Sequence, residues 1–491
     1  MKKKATILGA GISGLSAASF LAKSGWDVTI LEKNPTIGGR ARQFSSDGFT
    51  FDMGPSWYWM PDVFEQFYQK FGYTTADFYE LKRLDPSYRV YWAGQSFSDI
   101  PATMGELEAM FESLEPGSSL KLREFLKDAK YKYEVGMKDL VYKPSMKITE
   151  FMDLRLLKGL LSMDLTNSFS SYINRFFTHP KLKALLEFPV LFLGAMPKDT
   201  PALYSLMNYA DMELGTWYPM GGMYKFIEAF EKIAKEQGVK IITDAQITSL
   251  EKSNGEVNAA IDIHGNRYES DVFISSADYQ HTEKALLNGS ANYSDAYWDK
   301  RVMAPSALLY YVGINKRVSN IQHHNLFFDE SLEEHGKEIY KNPKWPSAPL
   351  FYLSAPSLTD PSVAPDGCEN LFFLIPIAPN LADDEETREY YFNILLERLK
   401  KLTGNDIKDN IVYKRSFSIS NFKEDYHAFK GNAYGLANTL KQTAIFKPQI
   451  KNKNLRNFYY TGQLTVPGPG VPPSIISGEV VATYINQHAK K

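Results

Sequence analysis

The sequence predicts an α/β fold, α+β overall, on three observations. A continuous apolar run, Ala5-Thr6-Ile7-Leu8, leads directly into Gly9-Ala10-Gly11-Ile12-Ser13-Gly14 and then into a stretch with small residues at Ala17, Ala18 and Ala22. Short apolar runs of the same kind return at 28–31, 271–277 and 458–460. Residues 304–314 and 349–378 are rich in strand formers, whereas 103–215 carries helical periodicity, as at Leu107, Met110, Phe111 and Leu114. A chain of 491 residues is too long for one hydrophobic core, so two or three domains are expected.

The first elements follow in order. Residues 5–8 read as a buried parallel strand, because the run is apolar on both faces. Residues 15–23 read as a helix that Gly25 ends. Val28-Thr29-Ile30-Leu31 is a second strand, and Glu32 stands at its end. Gly9 permits the tight turn out of the strand. Gly11 lacks a Cβ, so the backbone can approach a pyrophosphate. Gly14 lets helix and strand pack closely, and the helix start at Ile12 and Ser13 offers free N–H groups to phosphates. Glu32, 18 residues past Gly14, is placed to accept hydrogen bonds from ribose hydroxyls, with Lys33 beside it. Its charge disfavours the 2′-phosphate of NADP. Strand, glycine turn, helix and acid in this order make a dinucleotide-binding βαβ unit of the Rossmann type.

The next segment separates the candidate dinucleotides. Ile37-Gly38-Gly39-Arg40-Ala41-Arg42 and Phe51-Asp52-Met53-Gly54-Pro55-Ser56 follow the unit. The paired glycines let backbone run against the cofactor, and Arg40 can neutralise its pyrophosphate. This run resembles the signature of the flavin amine-oxidase and phytoene-desaturase superfamily. The resemblance implies FAD, bound non-covalently, with Gly54, Pro55 and Ser56 among the residues that hold it. No second GxGxxG occurs, so no second site for NAD(P)H is expected.

Residues 86–100 read as a hairpin. Residues 103–215 support two readings, a helical cap on the core or a greasy lid over a substrate tunnel. A new unit opens at Trp217-Tyr218-Pro219-Met220-Gly221-Gly222-Met223, with a helix at 224–237 and strands at 239–243, around Ile247, at 257–263 and at 271–277, the last reaching Asp278. At the other end, Phe458-Tyr459-Tyr460-Thr461-Gly462 reads as a strand. Residues 463–473 read as a rigid Gly/Pro loop, and 474–485 as a helix in which Gly478 allows close approach. Such a loop and helix start deliver N–H groups to the ribityl chain and flavin ring. Residues 1–85, 216–290 and 450–491 are thus expected to form a discontinuous Rossmann-like FAD-binding domain. Residues 86–102 and 291–449 would form a mixed β-sheet substrate domain, and 103–215 a helical lid that associates with membranes.

Composition narrows the function. Net charge is −2, which gives no nucleic-acid footprint. A single cysteine, Cys368, precludes an intrachain disulfide or a cysteine-based metal site. The eight His residues show no ligand spacing, and His323 and His324, as neighbours on a strand, should point apart. The basic start, Lys2-Lys3-Lys4, precedes only four residues of apolar run, so no signal peptide is expected. No run of 18 apolar residues is present, and a cytoplasmic, peripherally attached protein is expected. Aromatic residues reach 14%, which suits an aromatic-rich core and equally an apolar ligand.

Nearly end to end, the chain resembles the bacterial carotenoid desaturase (phytoene dehydrogenase) family. Besides the N-terminal unit, the likeness runs through Trp217–Met223, Ser276-Ala277-Asp278, Pro356–Ser362 with Ala364-Pro365-Asp366-Gly367, Gly435-Leu436-Ala437 with Gln442, and Thr461–Pro472. Family members often carry His, Ala and Gly where this chain has Val466, Pro469 and Pro473, which bears on the desaturation step. By position, the resemblance implies Gly9, Gly11, Gly14, Glu32, Gly38, Gly39 and Arg40 on the ADP half and Ile247 against the adenine. Gly462, Gln463, Val471 and Pro472 would lie along the ribityl chain and flavin ring. It implies an apolar carotenoid substrate: phytoene, or a later acyclic, monocyclic or hydroxylated carotenoid, with 3,4-desaturation within the class. Flavin N5 would take a hydride, and O2 or a membrane quinone would take the electrons. No His/Asp or Lys constellation marks a catalytic acid or base, and no metal is expected. Two other readings keep the fold: an amine or porphyrinogen oxidase, and a non-redox prenyl-binding escort. Nothing in the sequence sets an oligomeric state.

Overall fold

The computed structural model describes residues 2–151, 167–191 and 194–488. The parts of the helical stretch at 152–166 and 192–193 lie outside the described residues. The first strand, β1 (Lys4–Leu8), lies at the centre of a five-stranded parallel sheet. On one side it pairs with β2 (Asp27–Leu31) and, beyond it, Lys240–Ile242; on the other lie Val272–Ser275 and Phe458–Tyr460. The strands therefore come from three distant stretches of chain. Side-chain alternation divides the two faces. Ala5, Ile7, Val28, Ile30 and Ile274 pack under helices, whereas Leu8, Leu31, Phe273 and Phe458 pack on a three-stranded antiparallel meander, Ile247–Ser253, Glu256–Asp262 and Arg267–Glu269.

The helical layer comprises α1 (Ile12–Lys23), Tyr224–Glu236 and the C-terminal helix Val471–His488. The C-terminal helix seats tightly on α1: a Cβ on Gly478 would fall 2.5 Å from the Ser13 carbonyl oxygen and 2.6 Å from Ser16 Cβ. Ser16 Oγ donates to the Ile475 carbonyl at 2.7 Å. This helix begins at Val471, earlier than the rigid loop read from the sequence implied. Pro472 and Pro473 fall in its first turn, where a missing N–H breaks no helical bond.

A seven-stranded sheet runs in the order Ile411–Phe417, Ser306–Ile314, Glu369–Ile377, Phe351–Ser354, His324–Phe328, Tyr88–Trp92, Ser96–Ile100. Only the pairing of His324–Phe328 with Tyr88–Trp92 is parallel. Tyr310, Phe327, Phe351 and Phe373 share its outer core with the helix Glu385–Thr403. Tyr311, Phe372, Tyr352, Leu326 and Val90 face inward, into the same core as the helices of the parallel sheet. His323 and His324 do not part: their ring centroids are 4.4 Å apart. Only His324 belongs to the strand, so alternation does not govern the pair.

Candidate functional site

The carboxyl ends of β1, β2 and Val272–Ser275 open on one cleft, where open α/β sheets bind ligands. Its wall brings together Gly9, Gly11, Ile12, Ser13, Glu32, Lys33, Gly38, Gly39, Arg40, Ile247, Gly462 and Gln463, all expected from sequence. Gly9 takes a φ of +99° as the chain leaves β1, and its N–H donates to the Leu31 carbonyl at 2.8 Å. Gly14 lies behind the wall: a Cβ there would fall 2.2 Å from the Gly9 carbonyl oxygen. Gly11 differs. A Cβ on it would meet no protein atom closer than Ser276 Oγ at 3.8 Å, so the fold itself does not require a glycine at this position.

The start of α1 is open as well. Its N-cap is Gly11, no side chain caps it, and its first turn holds no acidic residue. The helices Met104–Leu114, Leu332–Tyr340 and Glu385–Thr403, by contrast, are capped by Thr103, Ser331 and Asp384. Free N–H groups and the positive end of the helix dipole thus face the cleft. The Gly38-Gly39 turn is pinned over this start: Gly38 N–H donates to the Ala10 carbonyl at 2.9 Å, and a Cβ on Gly39 would fall 3.2 Å from Gly11 Cα. Arg40 follows. One of its N–H groups reaches the Asn432 carbonyl at a long 3.4 Å, and its buried Nε has no hydrogen-bond partner among the described residues. Burial pushes the guanidinium down, against the pull of Asp278 and Tyr426. An anion in the cleft would satisfy both Arg40 and the helix amides, and a diphosphate fits that set.

Glu32 follows the last residue of β2 and lines the cleft. Its carboxylate accepts from Ala10 N–H at 2.7 Å and from the Asn34 backbone and side-chain nitrogens at 2.9 Å, which orients the acid as well as the glycine turn. Lys33 Nζ donates to the Glu424 carbonyl. Gly462 has a φ of +111°, and its N–H is held by Ser477 Oγ at 2.9 Å. Gln463 Nε2 donates to Asn432 Oδ1 at 3.2 Å. The remaining expected residues stand off the wall. A Cβ on Gly54 would fall 2.4 Å from the Arg40 carbonyl oxygen, so Gly54 backs the Arg40 turn, with Pro55 and Ser56 after it. Val471 and Pro472 open the C-terminal helix, and Ser474 of that helix reaches the wall.

The sequence reading missed a second set of wall residues: Ser276, Asp278, His281, Asp425, Tyr426 and His427. Ser276 Oγ hydrogen-bonds Ser13 Oγ at 2.9 Å. Buried Asp278, raised by desolvation, accepts from His281 N–H at 3.0 Å and Phe429 N–H at 3.1 Å. Tyr426 lies under the Arg40 guanidinium, 5.1 Å from ring centroid to Cζ. Ser276 and Asp278 follow a parallel strand as Glu32 follows β2, and that signal was available. Residues 425–427 carried none, because the return of the chain from the second sheet brings them here. Among the described residues, no group of three or more His, Cys, Asp or Glu is placed to hold a metal.

The family model for flavin-containing amine oxidoreductases matches residues 12–486. The chain belongs to that family. As a flavin-containing oxidoreductase, it is 40% identical over 479 residues to the carotenoid 3,4-desaturase of Haloarcula japonica, covering 97% of each chain. It is 31% identical over 490 residues to 4,4′-diapophytoene desaturase of Staphylococcus aureus, again covering 97% of each. An oxidoreductase from Methanosarcina mazei superposes with a TM-score of 0.64 at 17% identity, over 98% of this chain and 100% of that chain. Putrescine oxidase bound to putrescine superposes at 0.60 with 12% identity, over 99% and 100%. These two solved structures bear on the fold alone.

Proposed function

We propose that the chain is an FAD-dependent carotenoid desaturase that introduces a C=C bond into a long polyene, near a 3,4 position. The observation that carries this reading is the 40% identity, over 97% of both chains, to a carotenoid 3,4-desaturase. FAD, held non-covalently, is the flavin this reading assigns, supported by the open space beside Gly11, the buried Arg40 Nε without a hydrogen-bond partner among the described residues, and Glu32 after the end of β2 on the cleft wall. When bound, the flavin supplies N5 as acceptor of an allylic hydride. The chain's own part is to orient the polyene and exclude water. The inner face of the seven-stranded sheet suits that task. Trp57 stacks on His324 at 4.2 Å, with Tyr88 and Phe188 at 5.3 and 6.0 Å from Trp57.

The electrons then pass to O2 or a quinone, and the apolar substrate is drawn from a membrane surface. No helix among the described residues is long and apolar enough to cross a membrane, so the attachment proposed is peripheral, through residues within about 105–215. Anaerobic mixing of the purified protein with phytoene, lycopene, γ-carotene and their hydroxylated forms tests the reading. Bleaching of flavin absorbance with a longer-wavelength product from at least one is expected. Reduction by none of these, but by a primary amine or a porphyrinogen, overturns it.

A further inference from the structure

Lys447 is a buried cationic side chain that no ion pair or hydrogen bond holds among the described residues. Its side chain is 3% exposed, and Nζ has no hydrogen-bond partner among the described residues. Buried Lys132 shows the ordinary solution: its ammonium pairs with Asp128 at 2.6 Å and reaches Ser205 Oγ and the Ala202 carbonyl. An unpaired ammonium in a dry interior is strongly unfavourable. Burial alone pushes Lys447 down to about 7, with no charged group opposing it.

A second orphan lies beside the first. Asn438 is 5% exposed, and its buried Oδ1 also lacks a partner among the described residues. Both atoms lie close to Gly468: a Cβ on it, whose φ is +140°, would fall 3.2 Å from Asn438 Oδ1 and 3.2 Å from Lys447 Nζ. Gly468 belongs to the loop that joins the strand Phe458–Tyr460 to the C-terminal helix, between Gly462 and Ser474 of the cleft wall. Thr465 Oγ1 ties this loop to the Lys447 segment by donating to the Pro448 carbonyl at 2.5 Å.

A donor and an acceptor side by side call for a ligand edge with the opposite order. A polyene satisfies neither group. The pyrimidine edge of a flavin alternates carbonyl acceptors with an imide N–H donor, and negative charge gathers on that half of the ring when it is reduced. We propose that Lys447 and Asn438 form the polar seat of the flavin ring, the ammonium donating to a ring carbonyl and the Asn438 carboxamide oxygen accepting the imide N–H. Lys447 thereby favours the reduced cofactor, since a positive charge placed where negative charge develops stabilises it. This inference rests on the FAD reading.

The test uses the full-length protein loaded with FAD, as wild type, Lys447→Met and Lys447→Arg. Flavin content is read from absorbance, and the midpoint potential by equilibration with a reference dye. Lys447→Met should still bind FAD through the ADP half. Its two-electron reduction should be at least tenfold less favourable, about 30 mV lower, and Lys447→Arg should recover most of that loss. Without FAD, Lys447→Met should melt no lower than wild type, because an unpaired buried charge has gone. An unchanged potential in Lys447→Met overturns the proposal, and so does a lower melting temperature of the flavin-free variant with no change in potential. Wild-type protein gives a check that needs no variant: FAD methylated at N3 should bind at least tenfold more weakly than FAD, and equal binding removes Asn438 from the seat. Wild type that binds no flavin at all would instead defeat the FAD reading.

Discussion

The cofactor edge of the parallel sheet and the inner face of the seven-stranded sheet are built on opposite terms. The first is built largely on backbone and leaves polar groups unmatched: an uncapped helix start, a guanidinium whose buried Nε has no partner among the described residues, and a glycine whose missing side chain the fold does not need. The second is made mostly of aromatic side chains packed on one another, although the buried Nε2 of His324 has no hydrogen-bond partner among the described residues. Tyr311 donates to the Met53 carbonyl at 2.7 Å, His324 Nδ1 and Tyr352 Oη lie 2.6 Å apart, and Trp57 stacks on His324. A backbone site fails in steps when altered, since a Cβ either fits or blocks. A side-chain face fails gradually, because each ring contributes one share of contact area.

The sharpest break in that comparison lies within the cofactor edge, between two glycines three residues apart. Gly11→Val should fold, because its Cβ has open space, and should bind no flavin, because that space is where the pyrophosphate belongs. Gly14→Val should yield no folded protein, since even a Cβ would sit 2.2 Å from the Gly9 carbonyl oxygen. Circular dichroism and flavin absorbance separate the two. Stoichiometric flavin in Gly11→Val would show that the cleft is not the cofactor site. Arg40→Met comes next. Hydrogen bonds from a charged donor contribute about 1.5–3 kcal/mol, so flavin affinity should fall roughly ten- to a hundredfold with the melting temperature of the flavin-free protein little changed. Affinity within twofold of wild type would remove Arg40 from the diphosphate.

Trp57→Ala probes the other side of the comparison. One aromatic partner contributes about 0.5–1.5 kcal/mol beyond its area, so KM for the polyene should rise roughly two- to tenfold while bound flavin stays stoichiometric. Loss of flavin in step with activity would instead assign Trp57 to the cofactor.

The same contrast explains what the sequence disclosed. That Gly9, Gly11, Gly14 and Glu32 come together was legible because they lie within one continuous βαβ unit, and the structure brings them to one cleft, with Gly14 just behind its wall. Gly38 and Gly39 were legible for the same reason, as adjacent residues with φ of +106° and +56°. Tyr426 and His427 were not, because they reach the cleft wall only when two sheets are assembled from strands hundreds of residues apart. Lys447 lies in an unremarkable polar stretch, Lys447-Pro448-Gln449, and only burial without a partner marks it. The His323–His324 contact escaped because strand alternation was applied to a residue outside the strand.

The smallest expected effect tests whether the cleft is also the acid-sensitive part of the fold. His281 and His427 stack face to face on its wall, with ring centroids 3.9 Å apart and planes 10° apart. Burial, then the neighbouring His427 and Lys33, push His281 down to about 4; burial and Lys33 also lower His427, whose Nε2 is buried without a partner among the described residues. His281 is therefore neutral in the folded protein at pH values where the unfolded chain, titrating near 6.5, binds protons, and His427 is shifted in the same direction. Stability from His281 is complete above about 6.5 and is lost as pH falls toward 4, because the unfolded state gains protons first, and the shift of His427 acts in the same sense. His281→Phe keeps a ring in the stack and removes the proton site. Urea midpoints measured from pH 7 to 4.5 should fall less steeply in this variant than in wild type, and flavin release on acidification should shift to lower pH with them. An identical slope in both proteins would mean that the buried carboxylates elsewhere, and not this pair, set the acid limit.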